Sequence, residues 1–371
     1  MQPSDLSALT TQVLWADFGL ALVFGAIVQR THFCTMGAVS DVVNMGDWTR
    51  MRQWAFAVGV AMIGFAMLAY AGLIDPAKTI YSSSRWIWLS AAVGGSMFGF
   101  GMVLASGCGS KTLVRIGGGS LKALIVMIVM GVSAFATLKG ITAVLRVATV
   151  DRIAFDFGAP ASLPQWASTV FGVQAASAGL LLGLSLGAGL IIWALMGPGF
   201  RRAENFLAGL GVGAVIVAMW WVSGHLGYVA EHPDTLQEAF LATNSGRAEA
   251  FSFVAPIAYS LDWLMFFSDK SKVLTIGIVS VLGVILGSAA CALSQRTFRW
   301  EGFGSTEDVA NHLIGAVLMG VGGVTAMGCT VGQGLSGIST LAASSFVAVA
   351  AILIGAVAAF KYQIWRLDRL G

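Results

Sequence analysis

GGSMFGFGMVLASGC occupies residues 94–108 and GAVLMGVGGVTAMGC occupies residues 315–329. Aligned on their last residue, Gly94/Gly315, Gly99/Gly320, Gly101/Gly322, Val103/Val324, Ala105/Ala326, Gly107/Gly328 and Cys108/Cys329 coincide. Neither stretch holds a charge, and small residues recurring along an apolar helix let neighbouring helices approach closely in lipid. Both close on Gly-Cys and open into a short piece containing Gly, Ser and Thr. The reading of this pair decides the architecture. It is an internal repeat, and each copy ends where a helix breaks.

The rest of the chain supplies the setting. Hydrophobic residues make up 57% of 371 positions and charged residues 11%, with mean hydropathy +0.82. A soluble domain carries about 25% charged residues. Here the apolar residues fall in blocks of roughly 20, the length that crosses a bilayer core as a helix. The chain is therefore expected to be an all-α, polytopic membrane helix bundle. A net charge of +3 does not suggest a nucleic-acid partner. Met1 to Thr11 hold no Lys or Arg, which argues against a cleaved signal peptide.

About nine transmembrane helices are predicted, over residues 13–30, 53–73, 86–107, 121–139, 175–196, 204–224, 272–293, 309–328 and 340–360. Four shorter apolar stretches, 33–46, 110–118, 251–267 and 330–338, read as re-entrant or half-length helices. Irregular backbone at membrane depth is tolerated only when buried in protein or lining a cavity, so these pieces point to a pathway. With the N-terminus outside, thirteen Lys and Arg fall on the cytoplasmic side and eight on the other, favouring N-out and C-in by the positive-inside rule. The longest loop, about 225–270, then lies outside. It carries Glu231, Asp234, Glu238, Glu249 and Asp262, and reads as a small cap with short helices.

In that count the first Gly-Cys segment runs inward and the second outward. The chain reads as a single transmembrane transport domain, residues 1–371, with pseudo-repeats over roughly 13–139 and 175–360. Inverted repeats with broken helices are a recurring transporter plan that places the substrate site at the repeat interface.

Three of the four cysteines stand at such breaks: Cys34 in RTHFCTMGAV, Cys108 in ASGCGSKT and Cys329 in AMGCTVGQG. A lone membrane cysteine is a small core residue with a weak S–H donor. Three at matching breaks suit a soft, polarizable sulfur substrate, because a thiol donates weakly without presenting a fixed charge. Conduction needs binding that is favourable yet escapable. Gly107, Gly109 and Gly328 allow close backbone approach, and the amides opening the following short helices favour negative charge. Thr330 adds a hydroxyl beside Cys329. Arg30, His32, Lys111 and Arg115 lie close in sequence to two of the cysteines, placed to draw anions or simply to obey the positive-inside rule. Cys291, in a smooth helix, reads as packing.

With these residues in place the chain resembles the YeeE/YedE family of sulfur-transport membrane proteins, which includes thiosulfate transporters and SoxT-like members. The resemblance rests on R-x-x-F-C at Arg30–Cys34, on Gly107–Cys108, on Gly328–Cys329 and on the SFVAPI stretch at 252–257. It implies uptake of thiosulfate or a related sulfur oxyanion across a bacterial inner membrane through an hourglass-shaped bundle. By motif match Cys34, Cys108 and Cys329 line its constriction and hand the ion on by S–H···S contacts. It also implies a small cytoplasmic TusA-like sulfur carrier as a partner. A second mechanism stays open, in which the cysteines form persulfides and the protein transfers or senses sulfur. Thiolate character controls such chemistry.

Other classes are disfavoured. No G-x-S-x-G elbow exists, since Ser336 in GLSGI lacks the final Gly, and GCGSKT departs from the phosphate loop at Ser110. His32, His225, His232 and His312 are scattered, and the 15 Met form no repeated M-x-x-M run. The chain is therefore read as a transporter without enzymatic activity, resident metal or cofactor.

Overall fold

The computed structural model describes residues 3–233 and 235–370, so Asp234 lies outside the described residues. Its helices follow the hydropathy of the chain. The first group comprises α1 (Pro3–Thr31), the short α2 (Thr35–Met45), α3 (Thr49–Tyr70), α4 (Trp88–Leu104), the short α5 (Gly109–Gly117) and α6 (Leu121–Lys139). A connecting segment carries α7 (Ile141–Ala148), α8 (Leu163–Phe171) and α9 (Ala175–Leu195). Next, α10 (Ala203–Phe206) and α11 (Val212–Trp221) form one rod through a π-helical turn at Leu207–Gly211, and the rod continues to Leu226. The short α12 (Val254–Met265), α13 (Ile276–Ser294), α14 (Thr306–Thr325), a π-helical turn at Gly332–Gly337 and α15 (Ala343–Leu370) complete the chain.

Among the described residues nine helical segments are long and apolar enough to cross a membrane. The protein is a multi-pass membrane protein. The four expected half-length pieces fall on α2, α5, α12 and the turn at Gly332–Gly337. The face on which α1 begins is called the N-face here, and the opposite one the C-face.

Helix direction follows from residue contacts. α1 and α13 run parallel, touching at Asp17–Ser280 and Leu22–Gly287. α4 and α14 run antiparallel, and their crossing is reciprocal. A Cβ on Gly94 would lie 2.7 Å from the Gly322 carbonyl, and one on Gly322 would lie 2.6 Å from the Gly94 carbonyl. Gly101 and Gly315 face each other in the same way, at 2.6 Å in both directions. These are the residues that the repeat aligns, Gly94 with Gly315 and Gly101 with Gly322. Exchanging each glycine for its aligned counterpart thus turns the Gly94–Gly322 contact into the Gly315–Gly101 contact, as a twofold axis in the membrane plane requires. The third aligned pair turns outward from the seam. Gly99 admits the Ile352 carbonyl of α15, and Gly320 admits the Met130 carbonyl of α6.

Other contacts come in matching pairs. α4 packs on α15 as α14 packs on α6, and α1 on α13 as α11 on α3. α2 lies on α15 as α12 lies on α6. α9 packs on α3 and α8 and has no counterpart in this set.

Two departures from the sequence reading matter. α1 starts at Pro3, ten residues before the expected span, so Asp17 sits near mid-helix and is fully buried. Its early turns are polar, with Thr10 and Thr11 hydroxyls donating to the carbonyls of Leu6 and Ser7, and a hydropathy window misses them. The loop expected as short helices folds differently before α12. Tyr228–Val229 pairs antiparallel with Ala239–Phe240, and Glu238 of this hairpin binds Lys78. The aromatic and β-branched residues flanking the turn favour paired strands over a helix.

Candidate functional site

Each of the three breaks is built alike. At the end of α4 the Ala105 N–H donates to the Gly101 carbonyl at 2.9 Å, and the Gly107 N–H to the Met102 carbonyl at 2.8 Å. At the end of α14 the Ala326 N–H donates to Gly322 and the Gly328 N–H to Gly323, both at 2.8 Å. This six-to-one closure terminates a helix when the residue before the last donor enters the left-handed region, a place that glycine ordinarily takes. Here that residue is Ser106 (φ +55°) or Met327 (φ +58°), and His32 (φ +53°) stands at the matching position before Cys34. A non-glycine residue in that region is disfavoured by roughly 1–2 kcal/mol. All three are exposed, whereas each cysteine two positions on is buried.

After each left-handed residue the chain turns inward and a cysteine starts a new short helix. Cys34 caps α2, with its Sγ accepting from the Gly37 N–H at 3.4 Å. Cys329 accepts from the Gly332 N–H at the same distance. Cys108 precedes α5 and lies 3.3 Å from the Ser110 hydroxyl. Sulfur is a weak acceptor, so these amides remain available to a stronger one.

The folded chain brings the three together. The thiols of Cys34 and Cys108 lie close enough to interact with each other. Cys108 also faces the hydroxyl of Thr330, whose buried Oγ1 makes no regular hydrogen bond. Cys329 lies within electrostatic reach of Cys108. Of the other expected site residues, Gly107 and Gly328 close the helices before the thiols. Gly109 opens α5, where an added Cβ would make only ordinary contacts with Phe253 and Met130. Cys291 stands apart, partly exposed on α13.

Cavities approach this cluster from both faces. On the C-face, about 450 Å³ is lined by His32, Cys34, Arg50, Ser106 and Lys111, among others. On the N-face, about 200 Å³ ends against Met327 and Gly328 and is lined by Tyr81, Glu249, Ser252 and Ser280. Between them stand Cys108, 1% exposed, and Cys329, fully buried. Arg50 at the C-face is held by both carboxylate oxygens of Asp41. Lys111 makes no ion pair among the described residues, which leaves its charge uncompensated beside the thiols.

The wall contains residues that the sequence reading passed over. Phe24, Phe251 and Phe253 pack with ring centroids 5.5–5.9 Å apart. The Tyr81 hydroxyl donates to the Gly332 carbonyl at 2.6 Å. The Gln333 amide donates to the Ala326 carbonyl at 2.7 Å while its oxygen accepts from Ser345 at 2.6 Å. Ser336 donates to the Phe251 carbonyl and Trp220 to Ser339. These bonds satisfy the backbone that the break leaves open and hold the turn around Cys329 in place. The signal that could have found Gln333 was an uncharged polar residue amid a Gly-rich apolar run.

Comparison with known proteins supplies the family. The family described as Sulphur transport matches residues 30–358. The thiosulfate transporter TsuA of Spirochaeta thermophila is 26% identical over 351 residues, covering 92% of this chain and 97% of that protein. The thiosulfate transporter TsuA of Escherichia coli is 26% identical over 323 residues, 84% of each chain. The probable transporter YedE of Escherichia coli is 31% identical over 113 residues, covering 29% of this chain and 26% of its own length.

Proposed function

The chain belongs to the Sulphur transport family, and from that premise we propose that it is a membrane transporter, not an enzyme, that takes up thiosulfate. The observation carrying this reading is the stack of three thiols between two opposed cavities, at breaks where short helices begin. Thiosulfate presents a hard, charged sulfonate end and a soft terminal sulfur. Amide groups at the helix starts suit the first, and S–H groups suit the second. No Lys or Arg interrupts the described residues from Cys108 to Ser110 or from Cys329 to Thr340. An anion there meets weak donors in series, a condition for passage over capture.

Lys111 supplies the attraction at one end. Its ammonium at the C-face cavity favours an anion leaving the thiol layer without lying in the layer itself. The excess of Lys and Arg on the C-face supports placing it in the cytoplasm of a bacterial cell, with the N-terminus periplasmic and the C-terminus cytoplasmic. A TusA-like carrier would then receive sulfur at the C-face. The chain acts as a single transport domain whose halves, about 13–139 and 175–360, face opposite ways.

Reconstitution of the full chain in liposomes tests the substrate directly. Labelled thiosulfate is expected to enter well ahead of labelled sulfate, which has the same charge and a similar shape but no soft sulfur. Equal rates for the two would remove the basis for a thiol pathway.

A further inference from the structure

Two carboxyl groups stand at the N-face cavity and are not used by the thiol pathway, Glu249 in its wall and Asp17 behind Ser280 of that wall. Asp17 of α1 is fully buried. Its Oδ1 lies 2.9 Å from the Ser280 hydroxyl, and that same hydroxyl lies 2.6 Å from the Ile276 carbonyl. A serine hydroxyl has one proton to donate. The Ile276 carbonyl and Asp17 Oδ1 therefore share the single Ser280 donor. Asp17 has no other hydrogen-bond donor among the described residues, far fewer than the two or three that hold a buried carboxylate ionised. Its second oxygen is buried with no partner, a placement that an ionised carboxylate would not tolerate.

Ser280 lines the cavity, and so does Glu249. Glu249 Oε1 accepts from the Asn244 N–H at 2.9 Å, and the carboxyl lies within electrostatic reach of Asp17. It lies in the segment before α12, outside the spanning helices, where burial pushes its carboxyl up to about 7. The charged and titratable groups around it leave it uncompensated. Arg146 in the cavity wall pairs with Asp151, and Arg247 donates to the Thr79 and Ser82 carbonyls. Asp262, beside Tyr259, pairs with Lys272. Tyr81 and Tyr259 are neutral phenols. Among the described residues no cation pairs with Glu249.

The geometry assigns Asp17 and Glu249 as a proton-binding carboxyl pair, in which Asp17 keeps its proton and proton uptake by Glu249 is the condition for an anion to occupy the N-face cavity. The ligand of this site is a proton. An anion reaching Met327 and Gly328 passes Glu249, and a carboxylate in a confined space repels a dianion strongly. Neutralising it removes that repulsion and leaves the hydrogen-bonding wall intact. The sign follows: below about pH 7 the carboxyl is neutral and the cavity admits the anion, and above it the carboxylate excludes the anion. The inference rests on the thiosulfate reading only for the identity of that anion.

Two measurements on the full chain in liposomes test it. Uptake of labelled thiosulfate by the wild type is expected to fall roughly tenfold between about pH 6 and about pH 8. Glu249→Gln, neutral throughout, is expected to stay flat at the wild-type low-pH level. A wild-type rate that does not fall, a Glu249→Gln profile like the wild type, or uptake that follows external sodium and not pH would overturn the assignment. Infrared difference spectra without substrate provide the second readout. A protonated-carboxyl band is expected to persist at about pH 8 and vanish in Asp17→Asn. Another is expected to titrate near neutrality and vanish in Glu249→Gln. If both bands appear while no thiosulfate enters, the proton site stands and the substrate reading fails. If thiosulfate enters and neither band appears, the proton site fails.

Discussion

In the proposed pathway Cys108 is the central residue, because it lies beside the Cys34 thiol on one side and the Thr330 hydroxyl on the other. Replacing it by serine keeps a hydrogen-bonding group while removing the polarizable sulfur and any capacity for a persulfide. Cys108→Ser is expected to slow thiosulfate uptake roughly tenfold, about 1.4 kcal/mol of lost stabilisation at the highest barrier, without abolishing it. Initial rates of labelled uptake check this, and complete loss with the fold intact would favour an obligatory covalent relay. The three cysteines were legible because each follows a helix-ending pattern in an apolar run. Their meeting was expected only through the family resemblance, since Cys34 and Cys329 lie far apart in sequence and no local pattern encodes a tertiary meeting. The supporting polar residues were harder still. Gln333 and Tyr81 act through backbone carbonyls at the break, and that role leaves no spacing to read.

The seam between α4 and α14 is the element on which the inverted arrangement depends. Gly101 and Gly315 bring the two backbones so close that no side chain fits between them. Gly101→Leu is expected to destabilise the protein by about 3 kcal/mol or more through overpacking. Gly189→Leu on α9, where a Cβ meets nothing within 4 Å, is expected to leave stability unchanged. Thermal unfolding of the two variants in detergent compares them, and equal midpoints would deny the seam its importance. Hydropathy found the spanning helices because lipid demands long apolar runs, and the aligned glycines exposed the repeat. The start of α1 escaped because Thr10 and Thr11 satisfy their hydroxyls on helix carbonyls without any apolar signal. That miss concealed the interior position of Asp17, which falls close to the start of the span expected over residues 13–30.

At the scale of the whole molecule, two cavities of different character meet at one thiol layer. The N-face cavity carries the Glu249 carboxyl and several hydroxyls, and the C-face cavity carries Lys111, His32 and Arg50. An anion crossing from the first to the second moves towards positive charge. The two opposed cavities were legible only through resemblance, because cavities form where helices separate and a sequence records no separation. The most direct test of the pathway uses selenosulfate, in which selenium replaces the terminal sulfur and marks its own position. Crystals of the full chain grown with it should show the anomalous selenium peak against the Sγ atoms of Cys34, Cys108 or Cys329, with the oxygens towards the amides that open the short helices. A selenium peak in either cavity away from every thiol, with the oxygens turned to the cysteines, would contradict a pathway built on soft sulfur contacts.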